Sequence, residues 1–482
     1  MVKATKLFST LTAIGCAAVL AAFLSCSGGG GGVDVNDDSY PSSVTDLHVR
    51  SVTASTVTLE WTAPGDIDTV GTAASYDMRY STSEITWQNW DSVQVIRLSG
   101  EPKPSPFGST DTMRVTGLTE NVFYYFALKS LGHGGNSSWL SNCSPAMCFD
   151  DIVVTFPDPQ LDQVIRTAIG KPTGDIHRSD LLQIQFIEAN GRSITNLSGM
   201  EYCINLEGFL LNGNSVSDLA PLSGLVKLKG FQAFANDIDD ISPLAGLVNL
   251  EQLALADNAI SDISAMSGMT KLTNIILSSN DITDISALAG KPAVTNLLLD
   301  DNQISDISAL SGMMNLTELR LRSNQISGIG ALSGMTKLSI LDLYNNKITD
   351  VSPLAGLTGL KEAYINENQI TDLTPLSGLT GLERLYTGNN PISDVSGLSG
   401  LTSLIELNLQ VCQVVDVTPL QGLGGLNRLV LVYNQIVDIE PIVANAGLQS
   451  GDYVYLVGNP LSAESRDIHV PALKARGVIV DI

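Results

Sequence analysis

A chain of 482 residues, 44% of them hydrophobic, is too long for one compact domain, so two or more folded units are expected. Its formal net charge of −24 excludes a nucleic-acid partner, because a phosphate backbone would be repelled. The four histidines, His48, His133, His177 and His469, are scattered, and no phosphate loop, nucleophile elbow, zinc-helix motif or dinucleotide fingerprint occurs. Neither an enzyme nor a cofactor is expected.

Lys3 and Lys6 precede an uncharged apolar run from Leu7 to Leu24, followed by Ser25 and Cys26. A basic start, an apolar stretch and a small residue at the cut predict a signal peptide over 1–25. An uncleaved anchor is the rival reading, since the run is near the lower length limit for spanning a bilayer. The Ser before Cys26 resembles a bacterial lipobox. That resemblance implies a lipidated Cys26 and a membrane anchor in the bacterial cell envelope, outside the cytoplasm, on the outer membrane if the source is Gram-negative. Ser27 and Gly28 to Gly32 read as a flexible tether within 26–40. Asp34, Asn36 and Asp38 open like a calcium loop, but Ser39 and Thr45 stand where Gly and Glu are needed. Gly29 to Asp34 fits one glycine-rich calcium repeat without a tandem copy, so no metal is expected.

From 41 to 150 the pattern is all-β: Val57-Leu59-Trp61, Tyr76-Met78-Tyr80, Met113-Val115 and Tyr124-Phe126-Leu128 alternate, which buries one face per strand. Trp61 in a core position, Leu118 six residues before Tyr124, and Asn136-Ser137-Ser138-Trp139 near the end resemble a fibronectin type III module. The segment departs from that family at Glu120 and in an insert from Leu98 to Ser109. Cys143 and Cys148 are close enough in sequence to pair in an oxidising compartment, or to remain two thiols.

The strongest signal is a repeat. Asparagines fall at 214, 236, 258, 280, 302, 324, 346, 368, 390 and 434, with Cys412 in the same series, always 22 residues apart. With each as position zero, leucine-like residues recur at −8, −5, −3, +2, +5 and +8, as in Leu250, Leu253, Leu255, Ile260, Ile263 and Met266 around Asn258. Self-similarity of this length predicts a solenoid. It resembles the short leucine-rich repeats of bacterial internalin-like surface proteins, which implies a curved parallel sheet on the concave side and short 3-10 or irregular segments on the convex side. Residues at −5 and −3 are expected inside, and the Asn at zero is read as an amide ladder satisfying backbone groups. Asp at +4, from Asp218 to Asp438, is expected to accept backbone N–H bonds at a turn. The next Ser or Thr, as in Ser242-Pro243, is read as a helix N-cap, and Gly224, Gly246 and their counterparts to Gly422 as tight returns. The repeats span 192–458. Residues 151–191 form a helical cap, started by Asp158-Pro159, and a degenerate first coil with Arg192 in the Asn slot. Residues 459–482 form a second cap with a helix near Ala463 to Ala475 and a strand from Val478 to Val480.

The outward positions −6, −4 and −2 are not dictated by the core. Early ones are bland (Gly230, Gln232, Gln252, Ala254, Ala256), with Phe234 an exception. Later ones are Arg320, Arg322, Tyr344, Tyr364, Arg384, Tyr386, Arg428, Tyr453 and Tyr455. Tyr and Arg are enriched in binding hot spots, so a protein partner is expected there, met by a monomer. Three other readings stand beside it: a surface glycan stacked on the tyrosines, a passive spacer in an envelope complex, and residues that merely stabilise the sheet.

Overall fold

The structure, a computed structural model, describes residues 40–66, 70–120 and 122–482, and divides into two units between Ile152 and Val153. The expected signal peptide, the lipidated Cys26 and its glycine tether lie outside the described residues.

In the first unit, strands His48–Val52, Thr56–Thr62 and Thr110–Thr116 form one antiparallel sheet. Ile96–Arg97, Ser75–Ser81, Phe123–Leu131 and Ser144–Met147 form the other. The alternating residues meet between them: Val57, Leu59, Trp61, Tyr76, Met78 and Phe126 are all buried. Trp61 packs edge-on against Tyr76 at 5.2 Å between ring centroids, and the Tyr76 hydroxyl donates to Asp111 at 2.8 Å. The Tyr124 hydroxyl accepts the Thr119 N–H at 3.0 Å, the corner that the Leu118–Tyr124 spacing predicts. Cys143 and Cys148 are not joined in a disulfide. The strand between them explains why. Five extended steps separate Cα atoms by roughly 16 Å and turn the two side chains to opposite faces, beyond the reach of an S–S bond. Cys148 lies in the sandwich core, whereas Cys143 packs with Ile85, Trp90 and Leu140 on the outer side.

The second unit is a solenoid with a 14-stranded parallel sheet running from Phe186–Glu188 to Ile479–Asp481 in chain order. Each repeat supplies a three-residue strand whose middle residue, at −5, is buried; the partner register is 22 from Phe186 to Arg428, as in Leu385↔Leu407, and widens to 25 and 26 in the last two pairs, Arg428↔Tyr453 and Tyr453↔Ile479. The far side of each coil is a short 3-10 turn. A three-residue strand has little stability alone; the stacked apolar interior holds it.

The ladder at position zero works as the pattern predicts. Asn258 Nδ2 donates to the carbonyls of Ala233, Leu255 and Ala256 at 2.9, 3.1 and 3.1 Å, and its Oδ1 accepts the Ile238 N–H at 3.0 Å. One half-buried amide thus satisfies four backbone groups on two coils. At +4, Asp262 accepts the Ser264 N–H at 2.8 Å, and the same bond recurs from Asp218 to Asp438. The Ser or Thr is therefore not the N-cap. The 3-10 turn Ser242–Gly246 already starts at Ser242, so this residue is its first, and the Asp two places earlier takes its N–H. The glycine return is needed for its conformation in three coils, where Gly290, Gly312 and Gly334 have φ of 71, 93 and 84°. Lys291 occupies a leucine slot and is buried, its Nζ donating to the carbonyls of Met266, Ser267 and Met269 at 2.6, 3.3 and 3.4 Å.

Both ends are closed. Helix Pro159–Ile169 covers the first coil with Leu161 and Ile165. Asp158 caps it through the N–H groups of Gln160 and Leu161 and, with its second oxygen, holds Thr195 N–H at 2.8 Å. Arg192 does not fill the Asn slot; it is exposed, and its N–H is taken by Asn214 Oδ1. At the other end a helix over 463–475 includes a π-helical turn, Ser465–His469, just before Pro471, whose missing N–H breaks the regular ladder.

Candidate functional site

Because strand side chains alternate, burying −5 sends −6 and −4 to the outer face of the sheet, and the in-register stack sets like positions about 4.8 Å apart. The candidate residues therefore form rows. Tyr364 pairs directly with Tyr386. Their rings stack at 5.0 Å between centroids with 17° between planes. Acids on the row beside them lock the pair: the Tyr364 hydroxyl donates to Glu362 at 2.7 Å and the Tyr386 hydroxyl to Glu406. Arg384 sits between those acids, with Nη1 2.8 Å from Glu362 and Nε 3.7 Å from Glu406. Partial burial and the Glu406 bond push the Tyr386 hydroxyl up to about 12, and the same causes raise Tyr364, so both stay protonated donors.

Towards the first coils, Arg320 Nε lies 2.6 Å from Glu318 and faces Asp342 across the pairing register. Partial burial alone would lower the Arg320 value; the acids Glu318, Asp300 and Asp342 more than offset it. Asp300 and Asp342 are themselves raised by burial, Asp300 to about 6. Arg322 is exposed and lies over the Tyr344 ring at 4.7 Å; Arg428, also exposed, lies over Tyr455 at 5.3 Å, and Tyr453 stacks on Tyr455 at 6.1 Å. Arg320, Arg322, Tyr344, Tyr364, Arg384, Tyr386, Arg428 and Tyr455 all stand on this one face, in three engaged groups along successive coils.

Sequence reasoning chose the Arg and Tyr residues and passed over Glu318, Glu362, Glu406, Asp300 and Asp342. Part of the signal was present: from Glu362 onward position −6 reads Glu362, Arg384, Glu406, Arg428, an alternation of sign that neighbouring strands convert into ion pairs. Among the described residues no group of three or more His, Cys, Asp or Glu side chains is placed to hold a metal ion, and no helix is long and apolar enough to cross a membrane.

Comparison with known proteins agrees with this architecture. The Leucine Rich repeats family model matches residues 315–356 and 358–400, and the Fibronectin type III domain model matches 42–144. No curated protein matches in sequence. An internalin (inlF) from Listeria monocytogenes is 33% identical, with a TM-score of 0.63, over 68% of this chain and 96% of its own. A leucine-rich-repeat protein of Leptospira interrogans shares 19% identity over 63% of this chain and 97% of its own, with a TM-score of 0.52. The functional domain of InlJ from Listeria monocytogenes, which includes a cysteine ladder, shares 21% over 67% of this chain and 78% of its own, at a TM-score of 0.51. The last two share the fold alone.

Proposed function

We propose that this chain, which belongs to the internalin-like family of leucine-rich-repeat proteins and adds a fibronectin type III module, is a non-catalytic protein that captures a protein partner on the outer face of its parallel sheet. Folds of this kind are commonly binding modules, and the stacked coils offer a long surface free of core duties. The carrying observation is the Tyr364–Tyr386 pair with Arg384 between Glu362 and Glu406. Its parts are held before any partner arrives, so little side-chain entropy is lost on docking. The ring geometry favours protein over sugar. A sugar stacks on an open aromatic face, and each of these two rings gives one of its faces to the other. Lipid attachment at Cys26 would hold the protein at the bacterial cell surface, with the tether and the fibronectin module as spacer.

The whole protein, labelled and applied to arrays of bacterial and host surface proteins and of glycans, is expected to bind a protein saturably and no glycan. Glycan binding competed by free sugar would replace this reading. Silence on both, with the phenotype intact after the sheet face is changed to Ser, would leave a spacer.

A further inference from the structure

On the flank where the Asn ladder runs, positions −1, +1 and +3 point to solvent and the core dictates none of them; +1 stays polar in the last two coils, as Gln413 and Gln435. At +3 the nine coils from Ser217 to Ser393 carry Ser, Thr or, once, Asp239; the next two carry Val415 and Val437. At −1 the seven coils from Asp257 to Asn389 are all polar; the next two carry Val411 and Tyr433. All four replacements are exposed, at 57, 47, 47 and 61% respectively. Position −1 is also left-handed, with φ of 52° at Val411 and 56° at Tyr433, a conformation that Asn and Asp tolerate and a β-branched residue resists. The fold thus accepts exposed apolar surface at +3 where nine other coils carry Ser, Thr or Asp, and at the left-handed −1 where seven carry polar residues. Tyr433 is held in place, lying across Gly458 so closely that a Cβ there would meet its ring.

We infer that Val411, Val415, Tyr433 and Val437 form a second docking surface, separate from the Tyr and Arg face, for an amphipathic segment of a protein partner that presents aliphatic side chains bordered by Lys or Arg. Charge fixes the partner's sign. Exposed Asp394, Asp416, Asp438 and Glu440 border the stripe, and from residue 385 to 465 the sequence has one Lys or Arg, Arg428, which lies over Tyr455 on the sheet face. A second copy would bring the same acids against this row, and an anionic bilayer would be repelled by it.

The test uses the full chain and labelled 18-residue peptides in fluorescence polarisation at moderate salt. A Leu/Lys amphipathic peptide should bind saturably, and Leu/Glu and Ser/Lys peptides of the same pattern at least ten-fold more weakly. Val415→Thr with Val437→Thr, which restores the hydroxyl type of other coils, should weaken the Leu/Lys peptide at least ten-fold. Adding Val411→Asn and Tyr433→Asn should deepen the loss while the unfolding midpoint holds or rises, since Asn accepts the left-handed turn. Tyr364→Ala with Tyr386→Ala should leave peptide binding unchanged, which separates this surface from the sheet face. Equal affinity for Ser/Lys, or unchanged affinity in the Thr pair, overturns the proposal. So does concentration-dependent dimerisation of the wild type that the Thr pair abolishes, which would make the occupant a second copy.

Discussion

Cys412 stands where ten other coils place asparagine, and its thiol does less. Sγ lies 3.8 Å from the Thr387 carbonyl and 3.6 Å from that of Gln410, long even for sulfur. The Ile392 N–H that an Asn oxygen would accept instead turns to the Asn390 carbonyl at 2.8 Å. Cys412→Asn restores the short bonds in a slot already shaped for an amide. It should raise stability by about 1 kcal/mol, read from the chemical-denaturation midpoint. A midpoint that stays or falls would mean that the local backbone has closed over the gap. Lys291 is a second residue that the repeat pattern does not explain. A cation in a leucine slot reads as a surface turn residue, and nothing in one sequence signals that its stem is long enough to reach three carbonyls of the previous coil.

One coil is the unit that the sequence describes best. Its inward positions, its strand and its asparagine follow from the 22-residue period alone, because every repeat solves the same burial problem with the same residues. What the period blurred was one residue of register at the turn, where a 3-10 segment starts at the Ser or Thr rather than after it. The Asp that caps it has a pH consequence. Backbone and side-chain bonds from Ser264 and Ser352 hold Asp262 and Asp350 below the ordinary carboxylate range, and bonds from Thr374 and Thr418 hold Asp372 and Asp416 there. A carboxylate lowered in the folded state adds stability that is complete above its unfolded value, near 4, and is lost as pH falls through the lower folded value. Thermal melts should therefore fall steeply below about pH 4. Changing these four to Asn, which keeps an acceptor oxygen, should flatten that acid limb and leave the melt at pH 7 within a few degrees. An unchanged acid limb would place the sensitivity elsewhere. Asp300 works in the opposite sense: raised to about 6 by burial, it costs stability at neutral pH and returns it as pH falls through that value.

For the whole molecule, the two folds and the face to inspect were legible, because composition, alternation and period are global signals. The partition of that face was not. Which arginine meets which acid depends on neighbouring strands 22 residues away, and the candidates were chosen by residue type, so the acids that complete the network were missed. The same geometry shows that aromatic pairing and ion pairs stabilise the sheet locally, by about 0.5–1.5 kcal/mol for a ring pair. Stability alone would be served as well in the early coils, where Gln252, Ala254 and Ala256 stand at these positions. The central claim is that the Tyr364–Tyr386 pair is a hot spot for a protein partner. Its most direct test is the dissociation constant of the captured partner for Tyr364→Ala with Tyr386→Ala, measured beside the unfolding midpoint. Affinity should fall at least thirty-fold, about 2 kcal/mol or more, while unfolding shifts by only a few degrees. Full affinity retained in a folded variant would contradict the account.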